Sequence, residues 1–469
     1  MNFVQIEFPI FFILTFVIYW LLPRRQWQNL LLIISSAIFY GWVHPWFLIL
    51  LYGSAVLDFN MGKLMQKNPE KKKIYLWISM IGNIGMLGYF KYCNFFIDNF
   101  NSIFNWIGVG SSISNLEIFL PVGISFYTFQ TMSYTIDIYR GDLEPRNQFI
   151  DYLAFISFFP QLVAGPVERA ATLLPQMEED RIFDWGRLRS GFQLALWGAF
   201  KKVWVADMIS LYVDRIFQLE TPSSAMIWAA TFGFTVQILA DFSGYTDIAR
   251  GLARMMGFEL MLNFDHPYLA RNPSQFWRRW HISFSTWIRD YLYIPFGGSR
   301  GGEATRLKAS YAAMLISGLW HGASWSFVLW GAYHASLLAG YRYIGKKIPT
   351  EIRKSIWLRP FAIVLMFLFT TFGWMIFRET NIGRIGQYLM SSPFEGTTDQ
   401  WLVASLMFGV TIVTSIPLVL ALVIEKYVYP KLVDKDIFLP FQTISWAVLF
   451  WGIVLMKRDV SADFIYFQF

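Results

Sequence analysis

SGLWHGASWSFVLWGAYH, residues 317–334, reads as a membrane-spanning stretch, rich in Leu, Trp, Ala and Gly. It nevertheless carries two of the chain's five histidines, His321 and His334. An imidazole in hydrocarbon costs free energy unless it is paired or faces a cavity where it does chemistry. Whether the surrounding chain is membrane protein therefore decides both the fold and the meaning of these rings.

The composition answers the first point. Of 469 residues, 55% are hydrophobic and only 15% charged, where soluble domains carry about 25% charged residues. Apolar runs approaching the roughly 20 residues of a bilayer-spanning helix lie near 8–22, 28–43, 45–60, 74–91, 118–139, 190–212, 225–242, 308–322, 325–342, 359–377, 402–424 and 440–456. The expected fold is an all-α polytopic membrane protein of about eleven or twelve transmembrane helices, with additional re-entrant or interfacial helices. A single membrane domain over 1–469, with no separate soluble domain, is expected. The run 149–164 ends in FFPQLVAGP, so a bent or re-entrant piece is predicted there. The first run lacks a basic leader and a small-residue cleavage site and reads as a retained helix. The single Cys93 excludes an internal disulfide framework and a cysteine metal cluster. No nucleic-acid partner is expected.

Short-loop Lys and Arg set orientation. MGKLMQKNPEKKK (61–73) holds five lysines, and Arg24 and Arg25 lie two spans earlier. Both mark the cytoplasmic side. No Lys or Arg occurs between Lys91 and Arg140, so the Asn-rich patch at 94–115 and the N-terminus are expected outside. Residues 250–308 carry nine Lys or Arg against four Asp or Glu and read as cytoplasmic.

Within that interval, Asn272-Pro273-Ser274 is a helix-start signal with Ser274 as the N-cap. Phe276, Trp280, Phe284, Trp287 and Tyr291 then recur at helical spacing, and predict one amphipathic helix ended by Pro295 and GGSRGG. It is too short and too charged to span. His281 sits beside Trp280 on its apolar side. Arg278, Arg279 and Arg289 occupy other faces, fit either to contact anionic lipid or to hold a phosphate-rich donor.

His321 is flanked by Gly318, Gly322 and Ala323, which leaves room for a substrate or a neighbouring helix. It reads either as a hydrogen-bonded structural ring or, with His281, as a base for a hydroxyl. Zinc sites favour close histidine pairs, and residues 266, 281, 321 and 334 supply none, so no metal is expected. His44 and His334 read as structural or interfacial. Asp241, Ser243 and Asp247 are placed at a helix end, solvated or paired with Arg250, Arg254 or a neighbour. Ser324 is not in a nucleophile elbow.

FLPVGISFYTFQTMSYTIDIYRG (119–141), FFPQLVAGPVERA (158–170), DFSGYTDIARG (241–251), FWRRWHISFSTWIRDYLYIPFGG (276–298) and GLWHGASWSFVLWGAYHA (318–335) together resemble the membrane-bound O-acyltransferase family, in its bacterial alginate O-acetylase branch. The core motifs span 119–335. The resemblance implies helices around a central funnel or tunnel, with His321 as the catalytic histidine and His281 as the second one. Trp280, Trp320, Arg278, Arg279, Ser283, Arg289 and Asn272 are the expected donor or tunnel contacts. It further implies an acetyl group taken from a cytoplasmic thioester, either acetyl-CoA or an acylated carrier, with no bound cofactor. Delivery would go to an extracytoplasmic polysaccharide or cell-wall polymer through a partner acetyltransferase, from the bacterial cytoplasmic membrane and in contact with its lipids. Related members transfer D-alanine to teichoic acids. A polymer permease with His321 as proton relay is the rival from another class, although no internal repeat supports it; an inactive docking scaffold is the third reading.

Overall fold

In water a helix buries its apolar stripe and turns polar residues outward; in lipid the outward face must be apolar too. The computed structural model shows the second pattern. It describes residues 1–469 except 109, 111, 163–164, 348, 350–354, 393, 429–437, 458–463 and 466–469. Among the described residues the regular elements are all helical. Contacts divide the chain into two units, residues 1–192 with 249–261, and 193–248 with 262–469.

The first unit holds α1 (Glu7–Leu21), α2 (Arg25–Gly41), α3 (Phe47–Lys67), α4 (Lys72–Leu87), α5 (Cys93–Trp106), α6 (Ile124–Arg140), α7 (Phe149–Ser157) and α8 (Ala170–Glu178). Helix α1 buries Phe8, Phe12, Thr15 and Tyr19 and exposes Ile10, Ile13, Leu14, Val17 and Ile18. From Ile10 onward its outer face is thus aliphatic. Much of the Asn-rich patch proves to be helix α5. Asn94 exchanges two hydrogen bonds with the backbone of Leu116, and Asn101 two with that of Ile113, so amide side chains pin the following segment to the helix. The run 149–164 is bent as expected: α7 stops at Ser157, and a further helical turn, Phe159–Leu162, follows Phe158.

Glu168, in the link between that turn and α8, is fully buried, and its Oε1 accepts the Met261 N–H at 2.6 Å. Burial pushes its carboxyl up to about 7, against the smaller opposing effects of the Met261 N–H and Arg250. A carboxyl raised by folding favours the native state only while protonated, so stability falls as pH rises from about 4.5 to about 7. Thermal melts at pH 5.5 and 8 should show the wild type losing roughly 2–4 °C more than Glu168→Gln. An identical pH dependence in the two proteins would remove Glu168 as the cause.

The second unit is built from α9 (Trp185–Phe200), α10 (Asp207–Gln218), α11 (Ser224–Met255), α12 (Pro273–Arg279), α13 (Ile282–Ile288), α14 (Gly302–His321), α15 (Trp325–Lys347), α16 (Arg359–Arg378), α17 (Ile382–Met390), α18 (Thr398–Val423) and α19 (Phe438–Met456). Helices α9 and α11 contribute residues to both units. Four described helices are long and apolar enough to cross a membrane: Phe47–Lys67, Ser224–Met255, Arg359–Arg378 and Thr398–Val428. The other apolar runs form helices that are shorter or less apolar, or are broken by π turns such as Gly88–Tyr92 and Lys201–Ala206.

The placement of Asp241 and Asp247 at a helix end is corrected. The 32-residue α11 runs on through both. Asp241 is buried and pairs with Lys202 at 2.7 Å, while Asp247 pairs with Lys201 at 2.6 Å, and Ser243 accepts from the same lysine. Charges removed from water need partners at this range, and of the expected partners it is neighbouring lysines that supply them.

Candidate active site

Two histidines come close to one aromatic ring in the second unit. The predicted single helix over 274–291 is in fact two. Asn272, not Ser274, is the N-cap of α12: its side chain accepts the Gln275 N–H at 2.9 Å and Pro273 fills the first helical position. The chain breaks at Trp280 and His281, and α13 starts again at Ile282. The helical period is overridden by tertiary hydrogen bonds to the segment 263–265. The Ile282 N–H donates to Asn263 O at 2.9 Å, and the Asp265 N–H to Arg279 O at 3.0 Å. His281 is thereby held at φ 43°, a left-handed conformation that is strained for a non-glycine residue.

The same asparagine fixes the imidazole. Asn263 Oδ1 lies 3.0 Å from His281 Nδ1 and accepts the Ser283 N–H and the Ser283 hydroxyl. A backbone N–H can only donate, so this atom is an acceptor and Nδ1 must carry the hydrogen. Nε2 is left with its lone pair. Burial pushes His281 down to about 3 and keeps it neutral. Phe242 stands edge-on to the ring at 4.7 Å, and Phe284 stacks on it at 5.0 Å.

His321 is the last residue of α14 and only 5% exposed. Trp330, Phe377 and Phe284 wall it at 5.1, 5.2 and 5.5 Å. Phe284 therefore touches both histidines. The small residues beside His321 are occupied by a neighbouring helix: a Cβ on Gly318 would run into the Phe327 carbonyl, and one on Gly322 into the Phe327 ring. His334 is buried among Phe276, Trp277, Trp330 and Tyr333 and does not line the cavity described next.

A cavity of about 220 Å³ runs along α13, α14 and α15. Arg289, Arg306 and Arg342 line it together with Phe284 and Ser317, the latter one helical turn before His321. Arg289 chelates Asp290, and Arg342 reaches the Ser310 hydroxyl. Of the donor contacts read from sequence, only Arg289 is in the lining. Arg278 is exposed and Arg279 half-buried. Asn272 is spent on the cap and Ser283 on Asn263. Trp280 is buried, stacked on Phe276 and set against Trp374; Trp320 stacks on Phe284. Arg306 and Arg342 escaped the reading because only the pairing of α14 with α15 brings them together. Asn263 escaped because its signal is a single amide eighteen residues before the histidine.

Apolar outer faces on helices long enough to span define a multi-pass membrane protein, in which Phe284 links two buried histidines to an arginine-lined cavity. Residues 143–382 match the membrane-bound O-acyltransferase family. The chain is 38% identical over 378 residues to a protein of Pseudomonas aeruginosa named "probable alginate O-acetylase", covering 80% of this chain and 71% of that one. It is 32% identical over 406 residues to a peptidoglycan O-acetyltransferase of Helicobacter pylori, covering 80% and 75%. It is 29% identical over 279 residues to a teichoic acid D-alanyltransferase of Bacillus subtilis, covering 56% and 69%. The chain belongs to the membrane-bound O-acyltransferase family, and it is an O-acyltransferase.

Proposed function

We propose that this enzyme moves an acetyl group from a cytoplasmic thioester donor across the bacterial cytoplasmic membrane, for O-acetylation of an extracytoplasmic polysaccharide or cell-wall polymer. The observation that carries the reading is the cavity that holds Arg289, Arg306 and Arg342 and shares Phe284 with His321. Guanidinium forks suit the phosphate of a pantetheine-type donor, acetyl-CoA or an acylated carrier. The acyl end would lie toward Ser317 and Phe284. His321 takes the proton of the attacking hydroxyl as its oxygen bonds to the thioester carbonyl carbon. The C–S bond then breaks, and the thiolate recovers that proton from His321. His281, with its Nε2 lone pair free to accept, orients the hydroxyl or an N–H of His321. A thioester is already activated, so a base and good positioning suffice.

Acetyl is favoured over D-alanyl because the relatives named for acetyl transfer match across 80% of this chain and the D-alanyl one across 56%. The polymer is reached through a partner acetyltransferase on the outer face, where the N-terminus also lies by the lysine and arginine pattern.

The Arg306→Gln/Arg342→Gln double variant should raise the donor KM roughly 10- to 100-fold, two charge-assisted contacts being lost, with kcat nearly unchanged. Parallel assays with acetyl-CoA and with acylated carrier protein identify the donor. An unchanged KM for both would remove the cavity from the reaction.

A further inference from the structure

The first unit contains a buried carboxylate that acyl transfer does not use. Asp58 lies in α3, inside a helix long and apolar enough to span, and is 0% exposed. Its Oδ2 accepts from Asn83 Nδ2 at 2.8 Å, whereas its Oδ1 is buried with no hydrogen-bond partner. Among the described residues no Lys or Arg forms an ion pair with it. The polar neighbours on α3, α4 and α6 are neutral oxygen ligands: Ser54, Ser79, Asn83, Thr131 and Thr135.

Most hydrogens of this cluster have an acceptor other than Oδ1 in reach. Ser54 donates to Asn83 Oδ1 at 2.6 Å, and the Thr131 hydroxyl is in reach of Asn83 Oδ1 and Thr128 O. Thr135 donates to Met132 O, so in its 2.9 Å contact with Ser79 it is Ser79 that donates. The two amide hydrogens of Asn83 go to Asp58 Oδ2 and Ser79 O. Ser79 and Thr131 lie beside the Asp58 carboxyl, yet Oδ1 has no partner within hydrogen-bond range. A bare carboxylate in such a place is costly.

Oxygens that share a metal ion at about 2.4 Å stand roughly 3.4 to 4.8 Å apart, farther than hydrogen-bonded ones, and Oδ1 has no neighbour at hydrogen-bond range. One carboxylate among hydroxyl and amide oxygens balances a single positive charge, whereas divalent sites gather more carboxylates. A cavity of about 190 Å³ with otherwise apolar walls reaches Ser54 and Asn83 between α3 and α4, where Gly53 and Gly82 line it. We propose that Asp58, with Ser54, Ser79, Asn83, Thr131 and Thr135, forms a binding site for a small monovalent metal cation that ties α3, α4 and α6 together.

The test uses the purified full-length protein in detergent at constant ionic strength, with NaCl, KCl or choline chloride. Equilibrium binding of labelled sodium should give one ion per chain. The melting temperature in sodium or potassium should exceed that in choline by about 2–4 °C. Asp58→Asn should abolish both effects, and Thr131→Ala should weaken ion binding while melting near the wild type in choline. Equal melting in all three salts with no bound ion would overturn the proposal and leave a protonated carboxyl. Undiminished ion binding by Asp58→Asn would overturn it by placing the ion elsewhere. The wild-type comparison stands alone if Asp58→Asn does not fold.

Discussion

His321→Ala should lower kcat/KM for acyl transfer by about a thousandfold, the range of a lost general base, while the donor KM stays near that of the wild type. The side chain ends α14 with its ring walled by Trp330, Phe377 and Phe284, so alanine also leaves a cavity and should lower the melting temperature. Its position at the carbonyl end of a 20-residue helix also suits a ring that gains positive charge during the reaction. His281→Ala should cost less in rate than His321→Ala. It removes an orienting acceptor and empties a buried position between Phe242 and Phe284, so part of its effect should appear as lower stability. Steady-state kinetics on folded, purified variants separates the two. A rate for His321→Ala within a few-fold of the wild type would end its role as base.

Gly318→Ala should produce the second large effect, with a sign opposite to the usual one. Within a helix, replacing Gly by Ala normally stabilises by about 0.5–1 kcal/mol. At Gly318 the added Cβ meets the Phe327 carbonyl, and across the same crossing a Cβ on Gly331 would meet the Met314 carbonyl. Backbone cannot yield as the end of a flexible side chain can, so α14 and α15 must separate. Overpacking of this kind costs about 1–3 kcal/mol. His321, one turn beyond Gly318, would move with the helix. Gly340→Ala on α15 is the control, because nothing lies within 4 Å of its Cβ position. Thermal melts and activity should show Gly318→Ala losing several degrees and most turnover, with Gly340→Ala unchanged or slightly more stable. Equal melting of the two would contradict the close crossing.

The membrane character of the chain, the pair His281 and His321, and the basic stretch between them were legible in the sequence. Apolar runs and a Trp-His setting are local signals that packing does not alter. The break at Trp280–His281 was not legible: the apolar period continues through it, and the hydrogen bonds that interrupt it come from 263–265, outside the periodic stretch. Arg306 and Arg342 remained separate until α14 and α15 paired. Asp241 looked like a helix end because an apolar run stopped there, yet buried Lys202 lets the helix continue. Asp58 was readable in principle, as an ionisable residue inside an apolar run, but only the geometry shows that its Oδ1 lacks a partner.

In the proposed reaction an acetyl group passes from a thioester on one side of the membrane to a hydroxyl on the other under control of His321. Sealed proteoliposomes with labelled acetyl thioester on the arginine-cavity side, and the hydroxyl acceptor with its partner acetyltransferase on the opposite side, measure it directly. Label should appear on the acceptor with the wild type and fall to background with His321→Ala. Label crossing at the wild-type rate with His321→Ala, or acceptor labelled only when placed on the donor side, would contradict the account.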